Sequence, residues 1–210
     1  MKTKINPTIL LVCIIGLVAC SSLTAKAEGF IRPGAVYVSY TDAGLSGNGG
    51  VSLAAGTGFG AAKEHELSLE VVRASWSWKQ QFGSFAGLGS TGDGYCTPIL
   101  ANYRYYFGQA DARLRVYAGA SAGVVKSSGD VVLALSGVMR LGSVNQTKAA
   151  YGATIGVTGK LSAKISYDVG YRYLQSDNFE VAYTFPPPTV VAPFPKFSAH
   201  QLQFSVKFAF

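Results

Sequence analysis

From residue 28 onward, apolar side chains recur at every second position, in stretches about as long as the nine to eleven residues of a tilted membrane-spanning strand. Val51, Leu53, Ala55, Thr57 and Phe59 share one face, and Ser52, Ala54, Gly56 and Gly58 the other. Ile165, Tyr167, Val169, Tyr171 and Tyr173 likewise oppose Ser166, Asp168, Gly170 and Arg172. A period of two belongs to strands, whose successive side chains point to opposite faces. It predicts strands near 35–40, 51–59, 66–78, 95–107, 113–125, 149–158, 163–173 and 200–210. The alternation slips at Val71-Val72, which predicts a bulge there. Short connections fall at 60–65, 108–112 and 159–161, and long ones at 41–50, 79–94, 126–148 and 175–196. Short turns on one side and long loops on the other are the pattern of bacterial outer-membrane barrels.

A soluble β-sandwich also alternates, but its polar face meets water and is rich in charge. Here charged residues are only 14% of 210 and apolar residues 49%, against a usual quarter for charge. The minority face is Gly, Ser and Thr, and the apolar face ends in tyrosines and phenylalanines, as at a membrane interface. In lipid every backbone group needs an internal partner, so an open sheet fails where a closed one succeeds. The expected fold is therefore all-β: a transmembrane, antiparallel, up-and-down β-barrel of about eight strands, with both ends in the periplasm.

The start of the chain reads as an export signal. Lys2 and Lys4 precede an apolar stretch from Ile9 to Ala19, and Ala25-Lys26-Ala27 supplies small residues for cleavage. The expected division is a signal peptide over 1–27 and a barrel over 28–210. The alternative is a lipoprotein signal over 1–19, since Leu17-Val18-Ala19-Cys20 resembles a lipobox with Cys20 as the lipidated residue. Removing residues 1–27 takes three lysines from the net charge of +7 and leaves about +4, with no basic run; nucleic acid is not an expected partner. Cys13 and Cys20 lie in or beside the signal, leaving Cys96 without a disulfide partner. No metal-ligand spacing or cofactor motif is present, and none is expected.

The candidate chemistry lies on the face predicted to point inward: Glu66, Glu70, Arg104, Lys164, Asp168, Arg172 and Lys207. These charges either line an ion path or pair into a network that fills the barrel. Eight strands enclose just enough room for side chains, which favours the network. Ser198 and His200 are spaced to share a strand face, and Asp177 or Glu180 would have to fold back to complete a catalytic set. Trp76 and Trp78 read as interface anchors near the outer end of strand three, and Tyr171 and Tyr173 as interface aromatics of strand seven. The outer loops carry apolar groups at 131–135, at Val138-Met139, and in two proline-rich stretches, Phe185 to Pro188 and Ala192 to Pro195. Such groups either meet a partner or close the barrel mouth, and the prolines disfavour strand pairing there.

The exported start, the eight strands, Asn102-Tyr103-Arg104-Tyr105-Tyr106-Phe107, Gly170-Tyr171-Arg172-Tyr173 and the terminal Phe210 together resemble small outer-membrane barrels of the OmpA-like, OmpX-like and opacity-protein type. The resemblance covers nearly all of the chain after the signal. It implies an integral protein of the bacterial outer membrane whose partners are outer-membrane lipids and, during insertion, the barrel-assembly machinery. Phe208 and Phe210 resemble the C-terminal signal that this machinery reads. The expected role is non-enzymatic: envelope structure, or contact with an extracellular partner through the outer loops. The alternatives are a small porin-like channel and, third, an enzyme modifying lipid A.

Overall fold

The computed structural model describes residues 28–41, 44–81, 89–135, 138–194 and 197–210. The predicted signal over 1–27, including Cys20, lies outside them. Ten strands follow in order: β1 (Glu28–Tyr40), β2 (Leu45–Phe59), β3 (His65–Gln81), β4 (Gly89–Tyr106), β5 (Leu114–Leu135), β6 (Val138–Lys160), β7 (Ile165–Ser176), β8 (Phe179–Phe185), β9 (Val190–Phe194) and β10 (Ala199–Ala209). All pairings are antiparallel. The first seven strands pair in sequence, and β10 pairs with both β7 and β1, so eight strands close into a ring. Closure satisfies the backbone along every seam, the condition for crossing lipid with strands.

The remaining two strands arise inside the stretch expected to be the fourth long loop. They form a hairpin, β8 against β9, and β8 pairs with the outer half of β6 through Leu141, Gly142 and Ser143. Prolines do not prevent this. Pro193 sits in β9, an open edge of the sheet, where a missing N–H breaks no outer ladder.

The strands run further than the alternation predicted. The expected loop 126–148 is the outer half of a long hairpin, in which β5 has 22 residues and β6 has 23. At about 3.3 Å per residue and a tilt of about 40°, β6 rises roughly 58 Å, twice the apolar band of about 25 Å. By contrast β1, β7 and β10 have 13, 12 and 11 residues and just span it. The barrel is thus tall on the β3–β6 side and short on the other, and the β8–β9 hairpin occupies the gap. Above the lipid a strand no longer needs an apolar outer face. Polar and glycine-rich segments such as Ser127-Ser128-Gly129 therefore pair as strand without carrying the membrane pattern.

The first strand also begins earlier than predicted, at Glu28. Pro33-Gly34 interrupts its pattern, and the pairing to β10 lapses at Arg32 and Pro33 while the pairing to β2 continues. The bulge expected at Val71-Val72 is absent, because β3 alternates without a break from Glu66 to Trp78. What changes there is chemistry: its inward residues pass from Glu66, Ser68 and Glu70 to Val72, Ala74, Trp76 and Trp78. The register shift lies instead between Gly47 and Gly50, where β2 meets β3.

Outside, Ile31, Val51, Leu53, Leu67, Val116, Ile155, Val169, Leu202 and Phe204 are all exposed and form the lipid-facing band. Tyr103, Tyr105, Phe107, Phe208 and Phe210 edge it at the end with short turns, and Tyr37, Tyr151, Tyr171 and Tyr173 toward the other. Such belts place amphipathic rings at the headgroups. The turn between β2 and β3 is tight: Gly60 has φ +94°, Lys63 has φ +49°, and Lys63 N–H donates to the Gly60 carbonyl. Backbone N–H groups, its own and that of Ala62, hold the Glu64 carboxyl below its usual range.

Candidate functional site

Two layers of side chains fill the barrel. The first is charged and lies in the half nearest the short turns. Glu66 on β3 accepts from Arg32 Nη1 at 2.8 Å, from Lys207 Nζ at 2.8 Å and from the Tyr106 hydroxyl at 2.9 Å. Arg104 on β4 reaches across the lumen to β7, donating from Nη1 to Asp168 Oδ2 at 3.0 Å. The Tyr117 hydroxyl donates to the other oxygen of Asp168 at 2.9 Å. Arg104 Nε lies 3.9 Å from Glu66 Oε1 and so joins the two groups.

One tier further up, Glu70 binds Arg172 and accepts from Asn102 Nδ2 and Gln203 Nε2, both at 3.1 Å. The Ser121 hydroxyl donates to Asn102 Oδ1 at 2.6 Å. Six strands contribute to this network because eight-stranded closure brings opposite walls within side-chain reach. Glu66 and Arg104 are 1% exposed and Arg172 0%, so the charges interlock rather than line a water column. Four cations (Arg32, Arg104, Arg172 and Lys207) meet three carboxylates. The excess charge sits at the open end, where Lys207 is 21% exposed.

The second layer is apolar and lies above the first. Val36, Val38 and Tyr40 from β1, Val72, Ala74, Trp76 and Trp78 from β3, and Val125 and Val131 from β5 all point inward. The outer hairpin turns its own apolar face onto them. The Phe194 ring centroid is 5.5 Å from Trp76 and 5.3 Å from Trp78, and Phe197 is 5.3 Å from Tyr40 and 4.8 Å from Phe179. The outer loop stretch around 179–194 therefore closes the mouth, one of the two roles open to it from sequence. Gly94 and Gly129, opposite each other on β4 and β5, make the seat for Trp76. A Cβ at either would fall 2.6 or 2.5 Å from the indole Cζ2. At the base of the apolar layer a cavity of about 10 Å³, lined by Val38, Tyr40, Cys96 and Phe197 among others, has the size of one water.

The expected site residues divide as follows. Glu66, Glu70, Arg104, Asp168, Arg172 and Lys207 are brought together in the lumen. Lys164 is not: β7 begins at Ile165, and Lys164 stands exposed in the preceding turn. Trp76 and Trp78 are not interface anchors, because they are 1% and 7% exposed inside the outer layer. They share parity with Glu66 and Glu70, so the same alternation that turned the carboxylates inward turns the indoles inward too. Tyr171 and Tyr173 face outward, beside His200, whose Nδ1 lies 2.5 Å from the Tyr171 hydroxyl. Ser198 is buried, and its carbonyl binds Thr41; among the described residues no hydrogen bond joins it to His200. Phe208 and Phe210 lie exposed on the outer face at the end with short turns.

Sequence reasoning passed over Arg32, Tyr106, Tyr117 and Arg115 as lumen groups. Tyr106 and Tyr117 lie on the inward parity and were legible there, whereas Arg32 was hidden by the proline that follows it.

A closed ring of antiparallel strands, a lipid-facing apolar band between aromatic belts, and a network of buried charge inside the lumen define an integral outer-membrane β-barrel of the small kind. No protein-family model matches the sequence, and no curated protein matches it. Solved structures do share the fold. A major outer membrane protein from Thermus thermophilus is 10% identical, with a TM-score of 0.63, over 88% of this chain and 99% of that one. The outer membrane protein OprG from Pseudomonas aeruginosa is also 10% identical, with a TM-score of 0.59, over 88% of this chain and 96% of that one. The likeness is one of fold.

Proposed function

We propose that this chain is a non-enzymatic outer-membrane protein whose barrel is closed and whose working surface is the outer projection. One observation carries the reading: the lumen is filled twice, by interlocked charges and by an aromatic layer that the outer hairpin completes. A barrel built this way contributes a rigid support rather than a path. The projection has features suited to contact. Val138, Met139 and Leu141 are exposed near the tip of the β5–β6 hairpin, and Val190 and Val191 are exposed on the open edge strand β9. The pairing of β6, β8 and β9 puts them on one continuous sheet.

The test uses cells carrying the full chain or a version with residues 189–195 deleted, the barrel shown to be inserted in both. Loss of adherence to protein- or glycan-coated surfaces, with unchanged permeability to detergent and dye, is the expected result. Unchanged adherence with a leaky envelope would overturn surface contact in favour of a purely structural role.

A further inference from the structure

The barrel has a pocket at its other end, among the short turns, and the closed lumen does not account for it. It measures about 350 Å³ and opens away from the outer projection. Five cations line it: Lys63, Arg115, Lys160, Lys164 and Lys207. Three carboxylates, those of Glu28, Glu66 and Asp111, oppose them, leaving two positive charges in excess. Lys63 is paired with Glu28 at 2.6 Å and Lys207 with Glu66 at 2.8 Å.

Arg115 is different. It is 8% exposed, and no carboxylate oxygen among the described residues lies within ion-pair reach of it. Its Nη atoms donate only to the carbonyls of Lys63, Tyr106 and Gly108, at 3.2 to 3.5 Å, and its Nε has no partner among the described residues. A buried guanidinium is normally matched by an anion, since burying an unpaired charge is costly. Here the Glu64 carboxylate acts on the guanidinium only from beyond ion-pair distance, and the guanidinium borders an open, positively charged pocket.

We propose that this pocket is a binding site for a phosphate-type dianion reached from the periplasmic side, with Arg115 as its anchor and Lys160 and Lys164 as its flanks. The excess of two charges fits a dianion, and a guanidinium offers the paired donors that phosphate oxygens accept. Lys160 Nζ now rests on the Ala110 carbonyl, and Lys164 makes no ion pair among the described residues, so both can turn to a ligand. The site is independent of the outer-surface role. A free phosphate and the phosphomonoester headgroup of a phosphatidic acid at the inner rim share the required chemistry.

The test is calorimetric titration of the refolded protein in a nonionic maltoside and phosphate-free buffer. One arm uses inorganic phosphate, the other dihexanoyl phosphatidic acid below its micellar concentration. Saturable binding in either arm is expected, weakened about tenfold or more by Arg115→Gln, the scale set by loss of a charge-assisted hydrogen bond. Binding of inorganic phosphate identifies a free-phosphate site, and binding of the lipid alone identifies a headgroup site. If Arg115→Gln does not fold, the double variant Lys160→Gln/Lys164→Gln, at the exposed last residue of β6 and in the exposed turn after it, is expected to weaken binding severalfold, while Lys79→Gln on the far projection leaves it unchanged. No heat in either arm, or binding unaffected by all the pocket variants, would overturn the proposal.

Discussion

Replacing Asp168 by Leu tests how the lumen charges are held. The carboxylate accepts from Arg104 at 3.0 Å and from Tyr117 at 2.9 Å. With it gone, the one carboxylate left to Arg104 among the described residues is Glu66, at 3.9 Å, which is already shared with Arg32 and Lys207. At an effective dielectric of about 20, two unit charges 3 Å apart attract by about 5 kcal/mol. Removing one partner of a buried pair costs about 3–5 kcal/mol, because it strands the other charge. We expect that loss from Asp168→Leu, and a similar loss from Arg104→Met. The double variant removes both charges and leaves the Tyr117 hydroxyl without its acceptor, a cost of about 1–3 kcal/mol. It should therefore be more stable than either single variant, not less. The assay is reversible urea unfolding in lipid vesicles, followed by tryptophan fluorescence and by heat-modifiable gel migration. Additive losses in the double variant, within about 0.5 kcal/mol, would show that the two residues do not depend on each other and would refute the pairing.

Three further outcomes follow from the geometry. Gly129→Leu puts a side chain into the Trp76 ring and the Asp93 carbonyl, so the outer layer should lose about 1–3 kcal/mol as overpacked cores do; a variant as stable as the parent in the same urea assay would contradict the seat. Replacing residues 179–194 by a short turn uncovers Trp76 and Trp78, so tryptophan emission should shift to the red and acrylamide should quench it, whereas an unchanged spectrum would mean the hairpin does not cover them. Deleting Phe208 to Phe210 should abolish insertion by the assembly machinery in cells, and normal heat-modifiable barrel in the outer membrane would reject Phe208 and Phe210 as its signal.

The ring of strands was legible in the sequence because lipid enforces the pattern. Outward positions must be apolar wherever the strand crosses the band, so β7 and β10 were found to within a few residues at either end. The pattern fades where lipid ends. Residues 126–148 therefore read as a loop although β5 and β6 remain paired through most of it. The inner face followed from parity alone, which placed Glu66, Glu70, Arg104, Asp168 and Arg172 correctly. The same parity turns Trp76 and Trp78 inward, against the general preference of tryptophan for membrane interfaces. Lys164 failed for the opposite reason: its parity is right, but the strand has not yet begun. Who meets whom across the lumen, such as Arg104 with Asp168, depends on closure and strand tilt and is not written in local periodicity. Nor is the aromatic layer, which needs Phe194 and Phe197 to fold back from a segment whose prolines suggest an irregular loop.

The most direct test of the central claim, that the lumen is closed, is conductance. The barrel, refolded and shown to be inserted, is placed in a planar bilayer under an applied potential. The account predicts a silent membrane, with discrete steps appearing only when the outer layer is opened by Trp76→Ala together with Phe194→Ala and the charge layer is cut by Arg104→Ala. Reproducible steps from the unaltered protein, changed in ion selectivity by Arg104→Ala alone, would contradict it and make the buried charges the lining of a pore.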